Sequence, residues 1–151
     1  MQAIEEQKRL KEMQLQNDID HKESQLSALA LQMLRKNELL QELNEKIEQQ
    51  SQPEARQLIN RELHREKEWD DFNLYFESLN KNFFSRLKEA FPEITPNDLR
   101  ICALIKMNMS IKEMAGIMNI SADSVKTARY RLRKKLQLNT EDNLTEFLMN
   151  L

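Results

Sequence analysis

From Leu15 to Ile47 the apolar residues fall on a seven-residue repeat, and this repeat limits the fold more than any other feature of the chain. Ile19, Leu26, Met33, Leu40 and Ile47 occupy one core position, and Leu15, Leu29 and Leu43 occupy the other. Such spacing predicts a long helix over about residues 3–50, paired along a coiled-coil seam. Lys22, Lys36 and Gln50 fall on the second core position, where polar residues lower stability and can set register. Upstream the phase slips, because Ile4, Leu10 and Met13 do not continue the frame. A helix this polar needs a partner surface, since an isolated one is marginal in water. The eight seam residues just named are therefore the candidate dimerisation residues.

One glycine and three prolines in 151 residues, with 32% of residues charged, argue against tight-turned sheets and for long helices. The expected fold is all-α: long coiled-coil helices over residues 1–90, then a compact helical domain over 91–151. The break near 51–53 rests on Pro53, which suits the first turn of a new helix and disfavours continuation from Gln52. The chain either bends there and continues, or reverses or kinks sharply so that the second helix packs back on the first; the sequence leaves both open and leans slightly to the second. A second helix is predicted from Glu54 to Ala90, with an apolar stripe through Leu58, Ile59, Leu63, Trp69, Phe72, Phe76, Leu79, Phe83 and Leu87. A stacking platform for nucleic acid is one use for so many aromatics. Spacings of three and four residues make a packing face the stronger reading.

The most informative stretch is Ser110–Leu136. Ser110 and Glu113 form a capping box, and Met114, Ala115, Ile117 and Met118 supply an apolar face. Asn119 can adopt the left-handed conformation a sharp turn requires. Ser121 caps a second helix with Asp123 in its first turn, and Val125, Ala128, Leu132 and Leu136 recur at helical intervals. Helix, turn and helix in this order, ending in a basic run, predict a DNA-reading helix-turn-helix. Ahead of it, Thr95 caps a helix with Pro96 in the first position and Asp98 in the first turn. After it, Thr140 is the expected cap of a last helix carrying Leu144, Phe147, Leu148 and Leu151.

Charge supports the same reading. The net charge of −2 divides into −4 over residues 1–90 and +2 over 91–151. Residues 121–138 hold six basic side chains and one acid, Asp123. The local field therefore favours a polyanion where the total does not.

Thr95-Pro96, Lys112-Glu113-Met114-Ala115, Ile120-Ser121, Ser124-Val125-Lys126 and Lys134-Lys135-Leu136 together resemble the LuxR-type (GerE-type) helix-turn-helix domain of bacterial transcription regulators. The likeness covers the final third of the chain. It implies a four-helix domain that reads double-stranded DNA, with residues 122–136 as the recognition helix in the major groove. Lys126, Thr127 and Tyr130 fall on the family's base-facing positions. Ser121, Ser124, Arg131, Lys134 and, on the preceding helix, Lys112 are placed for phosphates. Arg129, Arg133 and Lys135 are left to contribute field or to face a partner. Ala128 stands where the family often has His, so the operator cannot be read by analogy. In the family the last helix commonly forms a dimer contact; packing within its own domain is the equal alternative. Residues 69–95 resemble the lead-in helix of a subgroup whose members carry an amino-terminal sensor, which implies a sensing part in a longer chain.

The function expected is a homodimeric, sequence-specific transcription regulator. The rival from another class is a coiled-coil adaptor with a protein-binding helical bundle. A sigma-factor-like domain shares the motif but needs polymerase-binding regions that are not evident. An enzyme is not expected: His21 and His64 lie far apart, no cluster has metal-ligand spacing, and Gly116 alone cannot make a phosphate loop. Neither cofactor nor metal is expected. The single cysteine, Cys102, sits in an apolar helical run and reads as a buried structural thiol in a reducing compartment. With no signal peptide and no long apolar run, the expected location is the cytoplasm, either free or as part of a longer membrane-linked regulator.

Overall fold

The computed structural model describes residues 2–48 and 53–151. Among them are eight helices and no strand: α1 (Gln2–Glu48), α2 (Pro53–Leu63), α3 (Glu66–Leu79), α4 (Phe83–Ala90), α5 (Pro96–Lys106), α6 (Ile111–Met118), α7 (Ala122–Lys135) and α8 (Leu144–Met149). The protein is all-α. Gln50, Ser51 and Gln52, on which the seam's last polar position and the helix break were placed, lie outside the described residues. α2 and α3 both pack on α1, so the chain reverses after the long helix. Lys36 locks this hairpin: its ammonium donates to the Glu62 carbonyl (2.7 Å) and pairs with Glu68 (2.7 Å). That side chain, expected on a seam between two copies, is bound within its own chain.

The reversal changes which face of α1 is buried. Leu26 and Met33 are buried, as expected of the first core position, and Leu40 and Ile47 are half-buried. Ala30, Asn37 and Asn44, four residues beyond Leu26, Met33 and Leu40, turn inward with them: Ala30 and Asn37 are buried and Asn44 is half-buried. Of the other expected core position, Leu29 is half-buried, but Leu15 is 63% exposed and Leu43 48% exposed. The contact face has rotated around the helix because its partners are the chain's own α2, α3 and α6. Residues 2–25 are all exposed, Ile19 included, and extend about 36 Å at 1.5 Å per residue.

The segment expected as one helix from Glu54 to Ala90 is three. It breaks at His64–Arg65 and again at Asn80–Asn82, where Asn82 takes a left-handed conformation (φ 67°) and the Asn80 amide caps the Phe76 carbonyl. Seven residues of continuous helix would advance the chain by about 10 Å. Breaking it lets Phe83 and Phe84 fold back onto Phe76, with ring centroids 5.4 and 5.2 Å away. Trp69, Phe72, Phe76, Phe83 and Leu87 are core residues, whereas Leu58, expected on the stripe, is exposed.

A single contiguous core runs from Leu26 through the aromatic helices to Leu148. Residues from both 1–90 and 91–151 contribute to this core. Cys102 lies fully inside it, and burial pushes its thiol up to about 12. The last helix begins at Leu144, capped by Asn143 rather than Thr140. Residues 139–142 form a turn instead, closed by Asp142 Oδ2 accepting from the Asn139 N–H (2.8 Å). Leu144 and Leu148 are buried in the core shared with α5, and Phe147 meets Phe91 edge-on at 6.4 Å. The stripe of α8 is thus used inside the chain.

Candidate nucleic-acid interface

Local chemistry sets the two interface helices. Ser110 and Glu113 form the full reciprocal capping box at the start of α6, and Asn119 ends it in the left-handed region (φ 56°). Ser121 caps α7 by accepting from the Ser124 N–H (3.0 Å). At the start of α5, Thr95 and Asp98 form a second reciprocal box with Pro96 at the first position. Val125, Leu132 and Leu136 bury one side of α7, which leaves the opposite side to solvent.

The basic run divides into two sets. Arg129, Arg133 and Lys135 face inward. The Arg129 guanidinium approaches Met114 Sδ at 3.9 Å, and burial, then the nearby Arg133 charge, holds its pKa below the ordinary arginine value. Arg133 donates to the carbonyls of Asn139, Thr140 and Asp142 and so fastens the turn before α8. Lys135 pairs with Asp98 at 2.7 Å. These three, left as field or partner-facing residues by sequence, are fold-holding residues. The capping boxes at Thr95 and Ser110 are legible from spacing; the three inward roles are not, because each depends on a residue six to 37 positions away.

Lys126, Thr127, Tyr130, Arg131 and Lys134 form the outward set, and all five are exposed. Among the described residues no carboxylate pairs with Lys112, Lys126 or Arg131. Tyr130 is 58% exposed, and the Lys134 ammonium stands 4.6 Å over its ring, which fixes both groups relative to each other. Ser121 and Ser124 are exposed at the start of α7, but Ser121 is occupied: its Oγ accepts from Ser124 N–H and donates to Ser124 Oγ (2.8 Å). Lys112 is exposed in the first turn of α6, where the helix dipole favours an anion. Ala128 is half-buried against the core, one residue beyond the outward face.

The result is an open, convex helix face with cations, one hydroxyl-bearing aromatic ring and a threonine methyl. It can donate to base edges and phosphates. Among the described residues no cluster of His, Cys, Asp or Glu could hold a metal, and no helix is long and apolar enough to cross a membrane.

Two carboxylates at the capping boxes tie this interface to pH. At Asp98 burial pushes the carboxyl up, but hydrogen bonds from Lys135 and Thr95 outweigh it, and the group lies below its usual range. At Glu113 the Ser110 N–H, then its hydroxyl, lowers the carboxyl. A carboxyl lowered by folding stabilises the fold above its unfolded value, and that stability is lost as pH falls through the lower folded value. The urea midpoint is expected to drop as pH goes below about 4. Asp98→Asn should make that drop shallower; an identical acid profile in the variant would contradict the assignment.

No family model, no curated protein and no solved structure matches this chain.

Proposed function

We propose that the protein is a sequence-specific, double-stranded-DNA-binding transcription regulator of the LuxR type, with α7 as the recognition helix and a sensing part elsewhere in a longer chain. The observation that carries this reading is the division of the basic run. Lys126, Arg131 and Lys134 stand outward beside Thr127 and Tyr130, while Arg129, Arg133 and Lys135 are consumed by the fold. On this reading Lys126, Thr127 and Tyr130 meet base edges, and Lys112, Ser124, Arg131 and Lys134 meet phosphates, with Ser121 supporting Ser124.

Two such modules on one molecule would read a repeat at fixed spacing. On this reading the homodimer seam falls to the seam residues that stay exposed, Leu15, Ile19 and Leu43, because Leu26 and Met33 are already used internally. The same exposed helix supports the second reading, a coiled-coil adaptor for another protein. Titration of the full chain with random-sequence duplex across a salt series separates the two. A regulator binds, with affinity falling linearly in log–log terms; an adaptor shows no binding at low salt. Sedimentation at micromolar concentration is expected to give a dimer, and a monomer would remove the seam.

A further inference from the structure

A notch of about 580 Å³ separates α1 from the α6–α7 turn. Glu38, Gln41 and Glu42 line it from α1, and Gly116, Asn119 and Ser121 line it from the other side. Ser121 is the cap of α7, so the notch opens at the amino-terminal end of the proposed recognition helix. Glu38 and Glu42 are exposed and, among the described residues, have no ion-pair partner.

Three residues of α1 hold this arrangement. Asn37 is only 5% exposed, and its amide donates to the carbonyls of Gly116 (2.9 Å) and Ile117 (3.0 Å), capping the carboxy-terminal end of α6. The Gln41 amide donates to Asn119 Oδ1 at the turn. Leu34 packs directly over Gly116, where a Cβ would collide with Leu34 Cδ1. The chain's one glycine thus serves a close helix–helix approach rather than a turn.

We propose that this docking is a brake on the DNA interface. α1 holds Glu38 and Glu42 as a negative lip at the end of α7 that would otherwise attract phosphate, so a duplex seats against their charge or after α1 lets go. The inference rests on the DNA-binding reading above. The helix dipole favours an anion at the start of α7, and two carboxylates across the same notch oppose one there. Groups sharing such a notch lie within about one Debye length, so the repulsion is felt at physiological salt and weakens as salt rises.

The test is the affinity of the full chain for random-sequence duplex at low salt, read by fluorescence anisotropy. Glu38→Gln/Glu42→Gln is expected to tighten binding roughly three- to tenfold. Asp70→Asn/Asp71→Asn makes the same change of charge on the exposed side of α3, away from the notch, and should leave affinity where it was. Gly116→Ala favours the helical state of α6, and its methyl displaces the end of the Leu34 side chain from its seat on α6. It should tighten binding too, and combined with Glu38→Gln/Glu42→Gln it should add less than its own factor, because both remove the same lip. A Glu38→Gln/Glu42→Gln protein no tighter than Asp70→Asn/Asp71→Asn overturns the brake, as does full multiplicativity with a Gly116→Ala that by itself tightens binding. Failure of every form to bind duplex overturns the DNA reading itself, and the brake with it.

Discussion

Phe76→Ala is expected to lower the folding stability by about 3–5 kcal/mol. Phe76 is fully buried and is the junction of the aromatic ladder, contacting the rings of Phe72 (6.1 Å), Phe83 (5.4 Å) and Phe84 (5.2 Å). Truncation removes the transfer energy of the ring and leaves a cavity walled by rings of α3 and α4. The pairwise ring terms add to this. The melting temperature should fall on the order of 10 °C, and the urea midpoint should fall with the slope unchanged. Tyr75→Ala, one residue along on the exposed side of α3, serves as the contrast, with an expected change within about 0.5 kcal/mol. A loss at Phe76 as small as that at Tyr75 would mean that α3 and α4 do not pack as one unit. The ladder also supports α7 indirectly: Arg100 of α5 stacks on Trp69 at 4.8 Å and pairs with Glu66, so α3 holds the helix on which α7 rests.

Lys126→Ala should reduce specific DNA binding by about 1–3 kcal/mol and relax base preference, with little effect on random duplex. Its ammonium is exposed, unpaired and one residue past Val125, the apolar residue that anchors this turn of α7. Arg131→Ala should behave differently. It should weaken all duplexes alike and reduce the salt slope by about one unit, as expected for a phosphate contact. The comparison needs a preferred duplex first, obtained by selecting sequences on the purified protein. If both variants lose affinity uniformly, Lys126 is a phosphate residue and base reading falls to Thr127 and Tyr130. If neither changes anything, the outward face is not the DNA face.

The local starts and stops of the carboxy-terminal helices were legible because they depend on residues within three or four positions. Thr95 with Asp98, Ser110 with Glu113, Ser121 with Ser124, and left-handed Asn119 all stand where spacing put them. Even there, Thr140 lost to Asn143, because Arg133 and Asp142 close a turn first. The aromatic stripe was recognisable as core, but its division into three helices was not. Asn80 and Asn82 are compatible with an exposed helix, and only the approach of Phe83 and Phe84 to Phe76 makes a break favourable.

By itself the sequence determined an all-helical chain, the helix caps around the turn, and the concentration of positive charge on α7, since propensity, capping and charge are properties of neighbours along the chain. The tertiary structure decided which side of α1 is covered, which of the six basic residues remain outside, and why Gly116 is a glycine. A helix with two overlapping apolar seams buries whichever one its partner surface fits. That surface is assembled from α2, α3 and α6, none of which is adjacent to Leu26 or Asn37 in sequence.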